Sequence, residues 1–310
     1  MTRAHAYDVA VRAEAALGEG PTWDAEGGRL IWLDILGSRV FTYEPVSGRR
    51  TVLATEQHVG AAKPRAGGGL VVNLRDGVGL YDPAPAPAPE PTADPGGPAS
   101  PDGPAGSAGS AGFRWLHREP VPGRRANDAA VAPDGALWAG TMRYDEAPGG
   151  GSLSRIAPDG TVTTVLDDVT VSNGTGWSPD GRLMYYIDTP TRRIDVFDFD
   201  GRQATGRRPL VTVEEGDGYP DGLTVDAEGC VWVAFWDGGA VRRYTPSGVL
   251  DHVVELPVPR VTACAFGGAD LTDLYITTAR TGLEAPHPLA GSLLVVPGAG
   301  KGLPLPPFAG

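Results

Sequence analysis

Apolar residues in this chain fall in short runs separated by turn signals, and one stretch shows the pattern in full. Val171 to Thr189 reads VSNGTGWSPDGRLMYYIDT. A polar start (Ser172-Asn173-Gly174) leads into a strand, Pro179-Asp180-Gly181 makes a tight turn, and a second apolar strand runs to Asp188. Proline presets φ for such a turn, aspartate bonds its own backbone, and glycine accepts φ > 0.

The same order recurs along the chain. The first unit runs from Gly18 to Trp23, turns at Glu26-Gly27-Gly28, and continues in the strand Arg29–Asp34. Strands over Arg39–Tyr43 and Arg50–Ala54 follow. A second unit spans His58 to Tyr81, with Gly67-Gly68-Gly69 as its turn, and further units start near Asn127, Asn173, Asp221 and Thr262. Outer strands lie between them, and the last is expected over Ser292–Val296. With the low-complexity stretch removed, the units sit roughly 40–50 residues apart, about four strands each, which is the signature of a propeller. The pattern predicts an all-β, six-bladed propeller with four-stranded antiparallel blades. Residues 7–17 alternate at Tyr7, Val9 and Val11, and are expected to close the ring beside the final unit. A sandwich or a two-domain β protein would also give many short strands, but not a turn repeated at one phase.

Residues 83–112, PAPAPAPEPTADPGGPASPDGPAGSAGSAG, break the pattern. This stretch has too little apolar surface to offset its ordering entropy, so a disordered or loosely extended loop is expected. The strand Phe113–His117 completes the sheet that Tyr81 leaves, which makes the insertion a hairpin loop. Residues 1–310 are therefore read as one domain; a linker between two domains is the competing reading.

Charge narrows the partners. The 310 residues carry 26 basic and 38 acidic side chains, a net of −12. That argues against nucleic acid, which needs clustered Lys and Arg, and against anionic membrane surfaces. The segment MTRAHAYDVAVRAEAALGEG has no apolar core of signal-peptide length, and no run nears the roughly 18 apolar residues that span a bilayer. Cys230 and Cys264 lie far apart among strand residues, so reduced core thiols and a cytoplasmic location are expected. The five histidines are scattered, without an HExxH or a CxxC, so a histidine metal site is not expected.

The repeat also gives a phase. In the third, fourth and fifth units, four places before the turn glycine stands an apolar residue (Val131, Trp177, Val225), and four places earlier stand Asn127, Asn173 and Asp221. The first unit, with one extra turn residue, gives Glu19; the second gives Gly60 or Ala61, and the sixth Thr262. In a propeller the first strand of each blade lines the central channel, so these positions should form a ring near one mouth. Two carboxylates and amide carbonyls make a hard oxygen cage suited to Ca²⁺, Mg²⁺ or Mn²⁺.

Plainer readings exist for each residue. The Pro-Asp-Gly triplets at 133–135, 158–160 and 179–181 are turn formers, whereas Asp221 precedes a separate turn at 226–229 and so sits at a strand start. Asn173-Gly174 could be a turn pair, and Glu19 a solvated loop residue; the shared phase favours the ring. Asn127 is expected to point inward and Asp128 to have an outer or turn role. Trp23, Trp32, Trp138, Trp177, Trp232 and Trp236 are expected in the core between blades rather than as ligand stackers.

At these residues the chain resembles the senescence-marker-protein/gluconolactonase family, which includes regucalcin and bacterial sugar lactonases. The matching segments are LGEGPTW (17–23), RAND (125–128), AGTM (139–142), SNG (172–174), PDGL (220–223) and CAFGGADLTDLYITTA (264–279), in family order. The resemblance implies a propeller with one divalent cation in its channel, bound by Glu19, Asn173 and Asp221. Calcium is the first choice, with Zn²⁺, Mn²⁺, Mg²⁺ or Fe²⁺ as alternatives. It implies substrate contacts from Arg125 and Asn127. The family's acidic residue after GTM falls on Asp145, with Glu146 as the one-residue alternative. Ala126 stands where the family often has an aromatic, a departure that would widen the pocket.

The expected activity is metal-dependent hydrolysis of a sugar lactone to the aldonic acid. The cation would polarise the lactone carbonyl, and Asp221 would act as general base. The expected partner is a small-molecule lactone, and the expected state a monomer or weak dimer. Two other readings stand beside it: a non-catalytic calcium-binding propeller, and a hydrolase of another ester or phosphotriester on the same scaffold. A hydroxyl-reading pocket favours sugars over the latter.

Overall fold

A computed structural model of the chain describes residues 6–82 and 112–310. The expectation of disorder over 83–112 falls, apart from Gly112, outside the described residues. The stretch's flanks are described, and Tyr81 pairs with Phe113.

After β1 (Asp8–Val11) the chain makes five four-stranded antiparallel sheets in succession and then three strands of a sixth, to which β1 adds the fourth. Blade 1 is β2 (Gly18–Asp24), β3 (Arg29–Asp34), β4 (Arg39–Tyr43) and β5 (Arg50–Ala54). Blade 2 is β6 (Val59–Pro64), β7 (Leu70–Leu74), β8 (Gly77–Tyr81) and β9 (Phe113–Arg118). Blade 3 is β10 (Arg124–Val131), β11 (Leu137–Arg143), β12 (Gly151–Ile156) and β13 (Val162–Val169). Blade 4 is β14 (Ser172–Trp177), β15 (Leu183–Asp188), β16 (Arg193–Phe199) and β17 (Ala204–Thr212). Blade 5 is β18 (Tyr219–Val225), β19 (Val231–Trp236), β20 (Ala240–Tyr244) and β21 (Leu250–Glu255). Blade 6 takes β22 (Val261–Gly267), β23 (Asp273–Thr278) and β24 (Leu293–Val296) and is completed by β1, where Asp8 pairs with Val295.

The first strand of each blade touches that of the next, and β22 touches β2, so the ring closes. This is the six-bladed propeller that the repeat predicts. Closure by β1 removes the exposed edge that blade 6 would otherwise carry.

Apolar clusters fill the gaps between blades. Between blades 3 and 4, Trp138 lies edge-on to Trp177 (5.7 Å between ring centroids) and to Phe199 (5.8 Å). Trp232 meets Phe266 edge-on between blades 5 and 6, and Trp23 stacks on Tyr275 between blades 1 and 6. Such pairs add about 0.5–1.5 kcal/mol beyond burial. Trp236 is different: it is half-buried, packs by Leu17, Ile35 and Ala279, and carries the Arg260 guanidinium over its ring. Both cysteines are free and buried, and among the described residues no helix is long and apolar enough to cross a membrane.

Residues 301–310 cross the turn end of the channel. Gly302 bridges to Asp226 in blade 5, and Phe308, fully buried, bridges to Arg65 after blade 2. Between this segment and the inner strands lies a cavity of about 820 Å³, lined in part by Thr22, Lys63, Asp128, Thr175 and Leu303.

Candidate active site

Every inner strand breaks register with its neighbour at the same level of the ring. The irregularity lies between Glu19 and Thr22 in β2, Val59 and Ala61 in β6, and Ala126 and Ala129 in β10. It lies between Ser172 and Thr175 in β14, Pro220 and Leu223 in β18, and Val261 and Ala263 in β22. A β-bulge frees residues from the ladder and re-aims their side chains. The residues so freed include Asn127, Asn173, Asp221 and Thr262, and Glu19 sits at the lip of its own bulge.

The bulges touch one another around the ring. Thr262 Oγ1 donates to the Gly18 carbonyl at 2.6 Å, joining blades 6 and 1. Asn127 Nδ2 donates to Asn173 Oδ1 (2.9 Å) and to the Ser172 carbonyl (2.8 Å), joining blades 3 and 4. Two glycines let the backbones approach. A methyl group on Gly60 would lie 2.3 Å from the Asn127 carbonyl oxygen, and one on Gly174 would lie 2.8 Å from that of Asp221.

Neighbouring side chains fix the ring residues. Asp34, at the end of β3, accepts the Ala16 and Leu17 amides (3.1 and 3.0 Å) and pins the approach to Glu19. Asp188, at the end of β15, does the same for Asn173 through the Thr170 and Val171 amides. Asn173 Nδ2 donates to Thr189 Oγ1 (2.7 Å), whose hydroxyl donates to the Pro220 carbonyl beside Asp221 (2.8 Å). Arg125 Nη1 donates to Asn127 Oδ1 at 2.7 Å. Glu19, Arg125, Asn127, Asn173 and Asp221 are all buried; hydrogen bonds join Arg125, Asn127 and Asn173, whereas Glu19 and Asp221 interact with each other and with Arg125 through charge.

The group is short of positive charge. Glu19, 8 % exposed, is pushed up to about 8, first by burial and then by the charge of Asp128; the Gly20 amide, Arg125 and Lys63 work against the shift. Asp221, 5 % exposed, is raised well above the usual carboxylate range by burial, then by Glu19 and Asp128. Among the described residues no hydrogen bond or ion pair reaches the Asp221 carboxylate. Isolated buried carboxylates are costly. Two of them beside an amide oxygen form a hard donor set that fits a divalent cation.

Asp145 stands apart. It is exposed, and Arg143 grips it through two 2.7 Å bonds that hold its carboxyl low, at about 2. No hydrogen bond joins it to Arg125 or Asn127 among the described residues. Its neighbour Glu146, in a left-handed conformation (φ 52°), is a charge that Arg125 feels. Tyr144 bonds His58 Nδ1 across the rim at 2.7 Å.

Sequence reasoning missed one further group. Lys63 on β6 is buried, donates to Thr22 Oγ1 at 2.7 Å, and interacts with the charges of Asp128 and Glu19. Asp128, expected in an outer or turn role, lines the channel cavity, accepts the Ala129 amide and acts on Glu19 by its charge. An apolar run with one lysine, VGAAKP, signals only a strand, so Lys63 had no signal of its own.

Another acidic group, Asp226, Glu228 and Cys230, lies close together near the turn end of blade 5. Asp226 already accepts the Glu228 and Cys230 amides, Trp232 Nε1 and Arg243 Nε. Arg243 also pairs with Glu228 and Asp251. The guanidinium supplies the charge that a cation would bring.

Residues 17–280 match the family model of the SMP-30/Gluconolactonase/LRE-like region. Regucalcin of Danio rerio is 32% identical, with 96% of each chain covered. A 6-deoxy-6-sulfogluconolactonase of Pseudomonas putida is 33% identical, with 97% of each covered. A crystal structure described as a calcium-binding protein, regucalcin, from Agrobacterium tumefaciens aligns at a TM-score of 0.87 and 29% identity, over 98% of this chain and 97% of that one.

Proposed function

The chain belongs to the SMP-30/gluconolactonase/LRE-like family, and on that premise we propose that it is a divalent-cation-dependent hydrolase of a sugar lactone. The observation that carries this reading is the Asp221 carboxylate: buried, without a hydrogen bond among the described residues, and raised in part by the Glu19 charge. Such a pair calls for a cation, and Glu19, Asn173 and Asp221 would hold it.

When bound, the cation supplies Lewis-acid polarisation of the lactone carbonyl and offsets charge developing on its oxygen. Asp221 accepts the proton of the attacking water as the water oxygen bonds to the carbonyl carbon. The ring C–O bond then breaks, and the proton passes to the leaving ring oxygen, giving the hydroxy acid. Arg125 and Asn127, already bonded to each other, present a guanidinium and an amide to the sugar hydroxyls. Of the two acidic candidates after GTM, Glu146 is the one whose charge is felt at Arg125, after that of Glu19, and this favours it over Asp145 for the substrate role.

The test uses chelator-stripped protein, assayed by acid release from glucono-, xylono-, arabino- and galactono-lactones with Ca²⁺, Mn²⁺, Mg²⁺ or Zn²⁺ restored. Acid release above the uncatalysed rate that depends on the cation supports the reading. No turnover of any lactone overturns it. A calcium-binding role without catalysis is the second reading, favoured by the description of the Agrobacterium relative. Calcium binding with no acid release would select it.

A further inference from the structure

Blade 2 contributes no side chain to the donor ring, since Gly60 occupies its place there. We propose that this blade instead positions the amide of blade 3, and that Asn73 on β7 is the residue responsible. Asn73 is 3 % exposed and sits in the run LVVNL, where an amide is a poor strand residue and its burial costs unless its bonds are met. Its Nδ2 meets them by donating to two carbonyls of the neighbouring blade, Asn127 (3.1 Å) and Gly140 (3.0 Å).

Those carbonyls belong to the irregular patch of blade 3. The pairing of β10 with β11 skips Asn127 and Asp128 on one strand and Gly140 on the other. Gly140 still pairs with Leu153 on its other side; on the β10 side the carbonyls that the ladder skips take donors from elsewhere, and the two hydrogens of a single amide reach both. Gly60 leaves the space that this approach requires, because a methyl there would lie 2.3 Å from the Asn127 carbonyl oxygen. A fixed Asn127 backbone in turn aims the side chain that bonds Arg125 and Asn173. Asn73 is thus a positioning residue that acts through Asn127. The inference rests on the cation site and activity proposed above.

The experiment compares Asn73→Leu with Val72→Ala, a core truncation on the same strand whose side chain packs between blades 1 and 2. Both proteins are stripped, melted, titrated with Mn²⁺, and assayed with a glucono-lactone. Asn73→Leu is expected to weaken Mn²⁺ binding about tenfold, the scale of one or two lost buried hydrogen bonds, and to raise KM more than it lowers kcat. Val72→Ala is expected to lower the melting temperature while keeping the wild-type Mn²⁺ affinity and KM. Should Asn73→Leu fail to fold, Gly60→Ala, which displaces the same carbonyl without removing a donor, is read by the same criteria. Unchanged Mn²⁺ affinity and KM in the blade-2 variant, or equal changes in Val72→Ala, overturn the inference alone. A wild-type protein that binds no Mn²⁺ overturns the site reading and this inference with it.

Discussion

The side-chain amide of Asn127 donates to Oδ1 of Asn173 at 2.9 Å, across the gap between blades 3 and 4. Its own Oδ1 takes a hydrogen from Arg125. One residue therefore ties the proposed sugar-binding guanidinium to a proposed cation ligand. Asn127→Ala should weaken both functions together, with Mn²⁺ affinity falling about tenfold and KM rising, as expected when a buried bond to a charged group is lost. Calorimetric titration and steady-state assays of one preparation would show whether the two move in step.

Asp221→Asn carries opposite signs with and without the cation. In stripped protein it removes a buried carboxylate that has no hydrogen bond among the described residues, so the melting temperature should rise. With the cation added, the variant should gain less stability than the wild type. Lactone turnover should fall by about 10²–10⁴, the scale of a lost general base. Thermal melts with and without Ca²⁺, beside the turnover assay, check all three.

Glu19 gives a pH dependence. Its folded-state value is raised from 4.5 to about 8, so the fold favours the protonated form. That contribution is fully present below 4.5 and is lost as pH rises through about 8. In stripped protein, the stability of Glu19→Gln relative to the wild type should therefore grow from pH 4.5 to 8 and level off above. Denaturant midpoints across this range would show the trend; a difference that shrinks with rising pH contradicts it.

Lys63 should matter most without the cation. Its ammonium is buried and feels Asp128 and Glu19. Lys63→Met removes the bond to Thr22 and leaves those carboxylates less compensated. The melting temperature of the stripped variant should drop, and added Ca²⁺ should recover more of it than in the wild type.

The acidic residue near Arg125 can be assigned by a pair of variants. Asp145→Asn removes a surface partner of Arg143 and should leave KM within about twofold, as for an exposed ion pair. Glu146→Gln should raise KM for the lactone.

The blade count and the ring positions were legible because a polar residue recurs eight places before a turn glycine at Asn127, Asn173 and Asp221, and nine places before it at Glu19, where the turn carries one extra residue. Glu19, Asn127, Asn173 and Asp221 share that phase, and the structure brings them to one level of the channel. Other features have no period to betray them. Asn73 and Lys63 act across blade gaps, and their partners lie far away in sequence. The bulges depend on how neighbouring backbones crowd each other, which no local pattern encodes. The choice between Asp145 and Glu146 turns on one residue in a loop with a left-handed backbone, which spacing alone does not settle.

The shared kink in the inner strands has a wider meaning. At four of the six positions around the axis the proposed ring side chain, Glu19, Asn127, Asn173 or Asp221, is carried at an irregularity of its inner strand, a frame that does not depend on what that side chain is. On the proposed reading, exchanging Asn127 or Asn173 for an acid would alter the charge offered to the cation in single-unit steps while the surrounding rosette stays put. The same reading lets one scaffold be retuned to another ion or another ester by changing its lining rather than its architecture.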